Sequence, residues 1–96
     1  MKLRQGNTVA ALNLAELALE IRLTKLGPHH PDLAAARSVI GECLTELGEY
    51  NKAESLLHGA LERLRTAQGD SGFEVVMTRR RIEGLLDRRP HLTVAD

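Results

Sequence analysis

The chain has no tryptophan, one tyrosine and one phenylalanine in 96 residues, so any interior must be built from leucine, alanine, isoleucine and valine. Small aliphatic side chains suit closely packed helices, and the scarcity of rings leaves no platform on which nucleobases could stack. A single cysteine, Cys43, excludes an internal disulfide and a cysteine-based zinc knuckle, which is what a reducing compartment allows. Neither sign of charge prevails, since 13 Lys plus Arg face 13 Asp plus Glu, and this balance removes any general pull toward phosphate backbones or anionic membranes. No apolar run approaches the ~20 residues of a membrane-spanning helix. The first seven residues lead into a polar-interrupted segment instead of the apolar core of a signal peptide, so a cytoplasmic location is expected.

Chemistry is equally sparse. No serine sits in a Gly-x-Ser-x-Gly elbow, and the eight glycines form no phosphate cradle. His29, His30, Asp32 and His58 are the only residues that could suggest a metal. Adjacent histidines in a loop diverge, and no His-x-x-x-His pair supports them, so capping of a helix by His30 and Asp32 is the expected role and no metal or cofactor is expected. Cys43 has no evident base or positive setting and is expected to behave as a small apolar residue. A non-catalytic protein is the reading.

What the chain does contain is a match to itself at an offset of 42 residues: Leu14, Ala18, Leu19, Glu20, Thr24 and Gly27 fall on Leu56, Ala60, Leu61, Glu62, Thr66 and Gly69. Gly6, Ala11, Arg37, Ile40 and Leu44 likewise meet Gly48, Ala53, Arg79, Ile82 and Leu86. A period of about 20 to 50 residues marks stacked units that each bury a face against their neighbours.

Apolar spacings of three and four predict four helices. The first covers about 8–26, with Ala11, Leu12, Leu14, Ala15, Ala18, Leu19 and Leu23 on one side and Leu17 and Ile21 widening the stripe, as in a helix packed on more than one side. Gly27 to Asp32 is a breaker cluster, in which Gly27 ends a helix in the left-handed conformation and Pro31 opens the next. The second helix covers about 31–47 and buries Leu33, Ala36, Ile40, Cys43, Leu44 and Leu47. Gly48, Glu49 and Tyr50 make only a tight turn, so a third helix over about 51–68 folds back antiparallel, burying Ala53, Leu56, Leu57, Ala60, Leu61 and Leu64. The fourth covers about 73–88 and buries Val75, Ile82, Leu85 and Leu86. Three parts are expected: an N-terminal remnant over 1–7, a helical repeat domain over 8–89 and a loosely held tail over 90–96 that begins with Pro90.

These residues resemble the tetratricopeptide repeats, and among them the 42-residue type found in kinesin light chains and many bacterial repeat proteins. Ile40 and Gly41 stand at the family's Leu-Gly pair, Leu44 at the aromatic position after it, and Gly48 to Tyr50 at the turn. Ala53, Leu57 and Ala60 fall on its small-large-small trio, and Leu26-Gly27-Pro28-His29-His30-Pro31-Asp32 looks like the connector of the long subtype. Two departures are visible: Arg37 replaces a bulky aromatic, and Glu83-Gly84 stands where glycine would come first. The resemblance covers about 6–88. It implies an all-α antiparallel solenoid fragment, with one complete unit flanked by two half units. Physical reasoning agrees that Gly41, Ala53 and Ala60 belong where two helix backbones approach closely.

The resemblance further implies a partner groove lined by first helices, here Ala35, Ser38, Glu42, Thr45 and Glu46, then Met77, Arg80, Gly84, Asp87 and Arg88. A peptide of mixed charge is the expected occupant, gripped by Arg80 and Arg88. Arg79, Arg80 and Arg81 fan around a helix, so salt bridges to Glu83 or Asp87 are the expected role. The function expected is a protein-interaction or assembly scaffold with a protein or peptide partner, self-associating as a homodimer or larger homo-oligomer. The alternatives are nucleic-acid binding through Arg79, Arg80 and Arg81, or a structural spacer in a larger protein.

Overall fold

A computed structural model describes the backbone of residues 2–27 and 30–89 and the side chains from Gly6 onward. It contains four helices in chain order, α1 (Lys2–Leu26), α2 (Pro31–Glu46), α3 (Tyr50–Gln68) and α4 (Phe73–Arg88), and the described residues form no strand. The fold is all-α, as expected. One helix differs in extent: α1 begins at Lys2, six residues before the expected start at 8, and runs unbroken through Gly6. The tail expected over 90–96 lies outside the described residues.

Local chemistry sets each helix end. His30 occupies the N-cap of α2, its Nδ1 accepting from the Asp32 backbone N–H at 3.1 Å, and Pro31 fills the first turn, where its missing N–H costs nothing. At the far end, the Gly48 N–H donates to the Thr45 carbonyl at 3.1 Å and the Glu49 N–H to the Leu44 carbonyl at 2.9 Å. This Schellman closure needs a left-handed residue, which Gly48 supplies at φ 85°. With two such bonds made, the chain has reversed by Tyr50 and α3 returns along α2.

The core lies among α2, α3 and α4. Ala34, Ala60, Leu64 and Val75 make one cluster, and Ala53, Leu57 and Leu85 make a second, with Leu44, Tyr50 and Ile82 against its edge. The small residues matter most at Gly41: a Cβ there would lie 2.7 Å from Leu57 Cγ and 2.8 Å from its Cδ2, inside any tolerable contact. Leu57 is wholly buried, so it has no room to swing aside. Helix α1 packs on α2 alone. The second packed side expected from its wide apolar stripe is therefore uncovered by the described residues, and Leu14, Leu17, Ile21 and Leu23 are exposed. Six further expected core positions also differ. Leu86 is exposed, while Leu44, Leu47, Leu56, Leu61 and Ile82 are half-buried, because each sits on the flank of its helix. In their place Ser38 and Thr78 are wholly buried, their hydroxyls 2.7 Å apart.

Two glycine substitutions should therefore move stability in opposite directions. Gly59 lies mid-α3 with open space around it, so Gly59→Ala is expected to add about 0.5–1 kcal/mol through helix propensity. Gly41→Val forces α2 from α3 and should cost at least about 1–3 kcal/mol. Urea unfolding of the two variants checks both signs.

Candidate functional site

Where α2 and α4 run side by side they leave a cleft of about 170 Å³, lined by Glu42, Thr45 and Glu46 from α2 and by Met77, Arg80, Arg81, Gly84 and Arg88 from α4. Gly84 keeps the floor open because nothing stands within 4 Å of where its Cβ would be. At ~30 Å³ per water the cleft holds a side chain or a terminal carboxylate, and it is smaller than the ~300 Å³ of the smallest drug-sized pockets.

The spacing of the two walls is fixed from below. The Ser38 hydroxyl meets that of Thr78 and accepts from Arg81 Nη1 at 2.8 Å, while Arg81 Nε donates to Glu42 Oε1 at 3.1 Å. Arg81 is only 13% exposed in its side chain, the most shielded partner in any ion pair of the described residues, while Glu42 remains open to solvent. On the same wall Glu46 is held through Oε1, which accepts from the Thr8 hydroxyl of α1 at 2.9 Å. Glu42 is paired with Arg81, whereas Glu46 keeps its full charge beside a neutral hydroxyl. Among the described residues no ion pair engages Arg80 or Arg88, and with three arginines against two glutamates the lining carries a net charge of +1.

The groove residues expected from sequence fall into three groups. Glu42, Glu46, Met77, Arg80, Gly84 and Arg88 line the cleft. Thr45 lines it too, although its hydroxyl is turned back to the Gly41 carbonyl at 2.9 Å. Ser38 is wholly buried beneath the cleft, Ala35 is packed against the core, and Asp87 is exposed outside the lining. Arg81 was not among the expected groove residues, though its position one after Arg80 put it within reach.

The arginine run also pairs differently from expectation. Glu83 and Asp87 are not its partners: Arg81 bonds Glu42, and Arg79 Nη2 reaches Asp70 at 3.3 Å in the turn before α4. Asp70 also accepts from Arg65 Nε at 2.9 Å, so one carboxylate joins the end of α3 to α4. The hydrogen bond and charge of Arg65, followed by those of Arg79, hold the Asp70 carboxyl below its ordinary value. Arg89 does the same to Glu54 through a 2.7 Å bond. Cys43 shows the reverse, since burial first and then Glu46 and Glu42 push its thiol up, away from the nucleophilic form. Among the described residues no cluster of three histidine, cysteine or carboxylate side chains is spaced to hold a metal, and no helix is long and apolar enough to cross a membrane. His29 lies outside them.

The sequence model of the tetratricopeptide repeat family matches residues 1–74, through α1, α2 and α3 to the start of α4. No curated protein and no solved structure matches significantly.

The depressed carboxyls make a pH prediction. A carboxyl whose folded pKa lies below its unfolded value stabilises the fold above the ordinary carboxylate range, and loses that contribution as pH falls through the folded value. Asp70→Asn should therefore lower stability at neutral pH and make the acid limb of the stability profile shallower. Urea midpoints between pH 7 and pH 2.5 test it, and parallel curves for variant and wild type would refute it.

Proposed function

The chain belongs to the tetratricopeptide repeat family, and from that premise we propose that it is a non-catalytic scaffold whose α2–α4 cleft takes an acidic anchor of a peptide or protein partner. Membership makes it a protein-interaction repeat module. The observation that supports the finer reading is the charge balance within the cleft: three arginines face two glutamates, Arg81 is spent on Glu42, and Arg80 and Arg88, unpaired among the described residues, face Glu46 alone. A C-terminal carboxylate or a glutamate side chain has the size for the cleft and the geometry for bidentate arginine contact. On this reading Glu42, Thr45 and Glu46 shape the acidic wall, Ser38 fixes its distance from α4, and Asp87 lies at the rim.

The 42-residue period and the connector at Leu26 to Asp32 favour the kinesin-light-chain-like subtype, and the single free cysteine, Cys43, favours a reducing compartment such as the cytoplasm. Self-association belongs to the same proposal, because apolar residues on α1 and α4 stand exposed, with Leu14 at 68% and Phe73 at 73%. Surfaces of this kind mark contact sites. Nucleic-acid binding draws less support, since Arg79 and Arg81 are tied to Asp70 and Glu42.

The test is binding of peptides that differ only in ending as a free carboxylate or an amide, measured by fluorescence polarisation. The carboxylate form should bind at least about tenfold more tightly, as each charge-assisted bond is worth about 1.5–3 kcal/mol. Replacing Arg80 and Arg88 together by alanine should erase the difference. Equal binding of both peptides by wild type and variant would remove the cleft assignment, and affinity for duplex DNA falling steeply with salt would favour the nucleic-acid alternative.

A further inference from the structure

The offset that lays α1 on α3 also lays α4 on α2, as Arg37, Ile40 and Leu44 meet Arg79, Ile82 and Leu86. Among the described residues there is one completed pairing, α2 with α3, and neither α4 nor α1 has a helix in the matching position. At three points along the seam, residues of α2 and α3 line a common crevice: Pro31 with Gly59 and Arg63, Ala34 with Leu56 and Gly59, and Leu44 with Asn51 and Leu56.

Transposing each position by the same 42 residues sets Phe73 over Leu17 and Ile21, Val76 over Leu14 and Leu17, and Leu86 over Val9 and Leu14. All of these are exposed large apolar residues in the isolated chain, Phe73 at 73%, Leu17 at 55% and Leu86 at 52%. Polar or small residues stand at most of the matching positions of the completed pair, as Pro31, Gly59, Arg63 and Asn51 show. Apolar side chains have therefore gathered at the same points on two separate helices. Among the described residues of one chain the two do not touch, since α1 packs on α2 alone.

We propose that α4 of one copy docks on α1 of a second copy in the arrangement that α2 and α3 adopt internally, joining copies head to tail. This rests on the self-association reading above and specifies its geometry. The joint is heterologous, with different surfaces on its two sides, so each added copy presents a fresh acceptor and the assembly grows instead of closing at a dimer. At the tightest point Gly41 against Leu57 becomes Glu83 against Ala15. Bulk moves from one side to the other, but a carboxylate enters a dry contact, which weakens the joint relative to the internal one.

Two exposed substitutions test the proposal without disturbing the core. Leu17→Glu spoils only the α1 side and Phe73→Glu only the α4 side. In sedimentation velocity, wild type should show mass rising with concentration past a dimer, and each variant alone should associate at least about tenfold more weakly. Mixed in equal amounts, the variants should form one heterodimer and stop, because each retains the surface that the other has lost. Helical circular dichroism equal to wild type verifies that both are folded. If Leu17→Glu abolishes association while Phe73→Glu leaves it intact, the copies pair symmetrically through α1: self-association stands and the head-to-tail joint is overturned. A wild type that is monomeric throughout the concentration range overturns both.

Discussion

The close approach of α2 and α3 at Gly41 sets the position of everything else. With no side chain at that point, Leu57 fills the space between the two backbones, and Ala53 and Ala60 one turn to either side keep the helices at that distance. Packing energy near such a contact is steep, because a few tenths of an ångström decide whether many atom pairs sit in their attractive range. The pair then acts as a rigid platform. Val75 and Leu85 of α4 dock on it through the same two clusters that contain Ala60 and Leu57.

From that platform the cleft follows as a consequence of spacing. Ser38 and Thr78 touch at the base of α2 and α4, an apolar residue at either position would lose the bond between them, and one at Ser38 would also lose the bond from Arg81. Above them Arg81 is consumed in holding the walls together, which leaves Arg80, one residue earlier and rotated by about 100°, to face the opening. Adjacent arginines thereby do different jobs. One is structural and the other is available, and the difference comes from helix phase alone.

Much of this was legible from residue order, because glycine, proline and the apolar period act locally. The turn at Gly48, the N-cap role of His30 and the limits of α4 needed no knowledge of tertiary structure. Other features depend on it. Helix α1 extends to Lys2 through Gly6, whereas its counterpart Gly48 is left-handed, since no local signal tells a glycine within a helix from one that ends it. Burial of Ser38 and Thr78 was hidden because both are polar and lie off the apolar stripe. Leu86 read as core because its spacing fits, yet no described helix covers that flank of α4. The cleft residues were legible only through the family resemblance, and Arg81's attachment to Glu42 came from the distance between two helices.

Cys43 lines the crevice where α1 crosses α2, beside Thr8, Ala11 and Val39. Helix α1 is secured on that one side only, and elements with few packed neighbours open at lower free energy than the rest of a domain. Each time α1 lifts away, the single thiol of the chain meets solvent while α2, α3 and α4 keep their clusters. The rate at which a thiol reagent labels Cys43 is thus a clock for one helix.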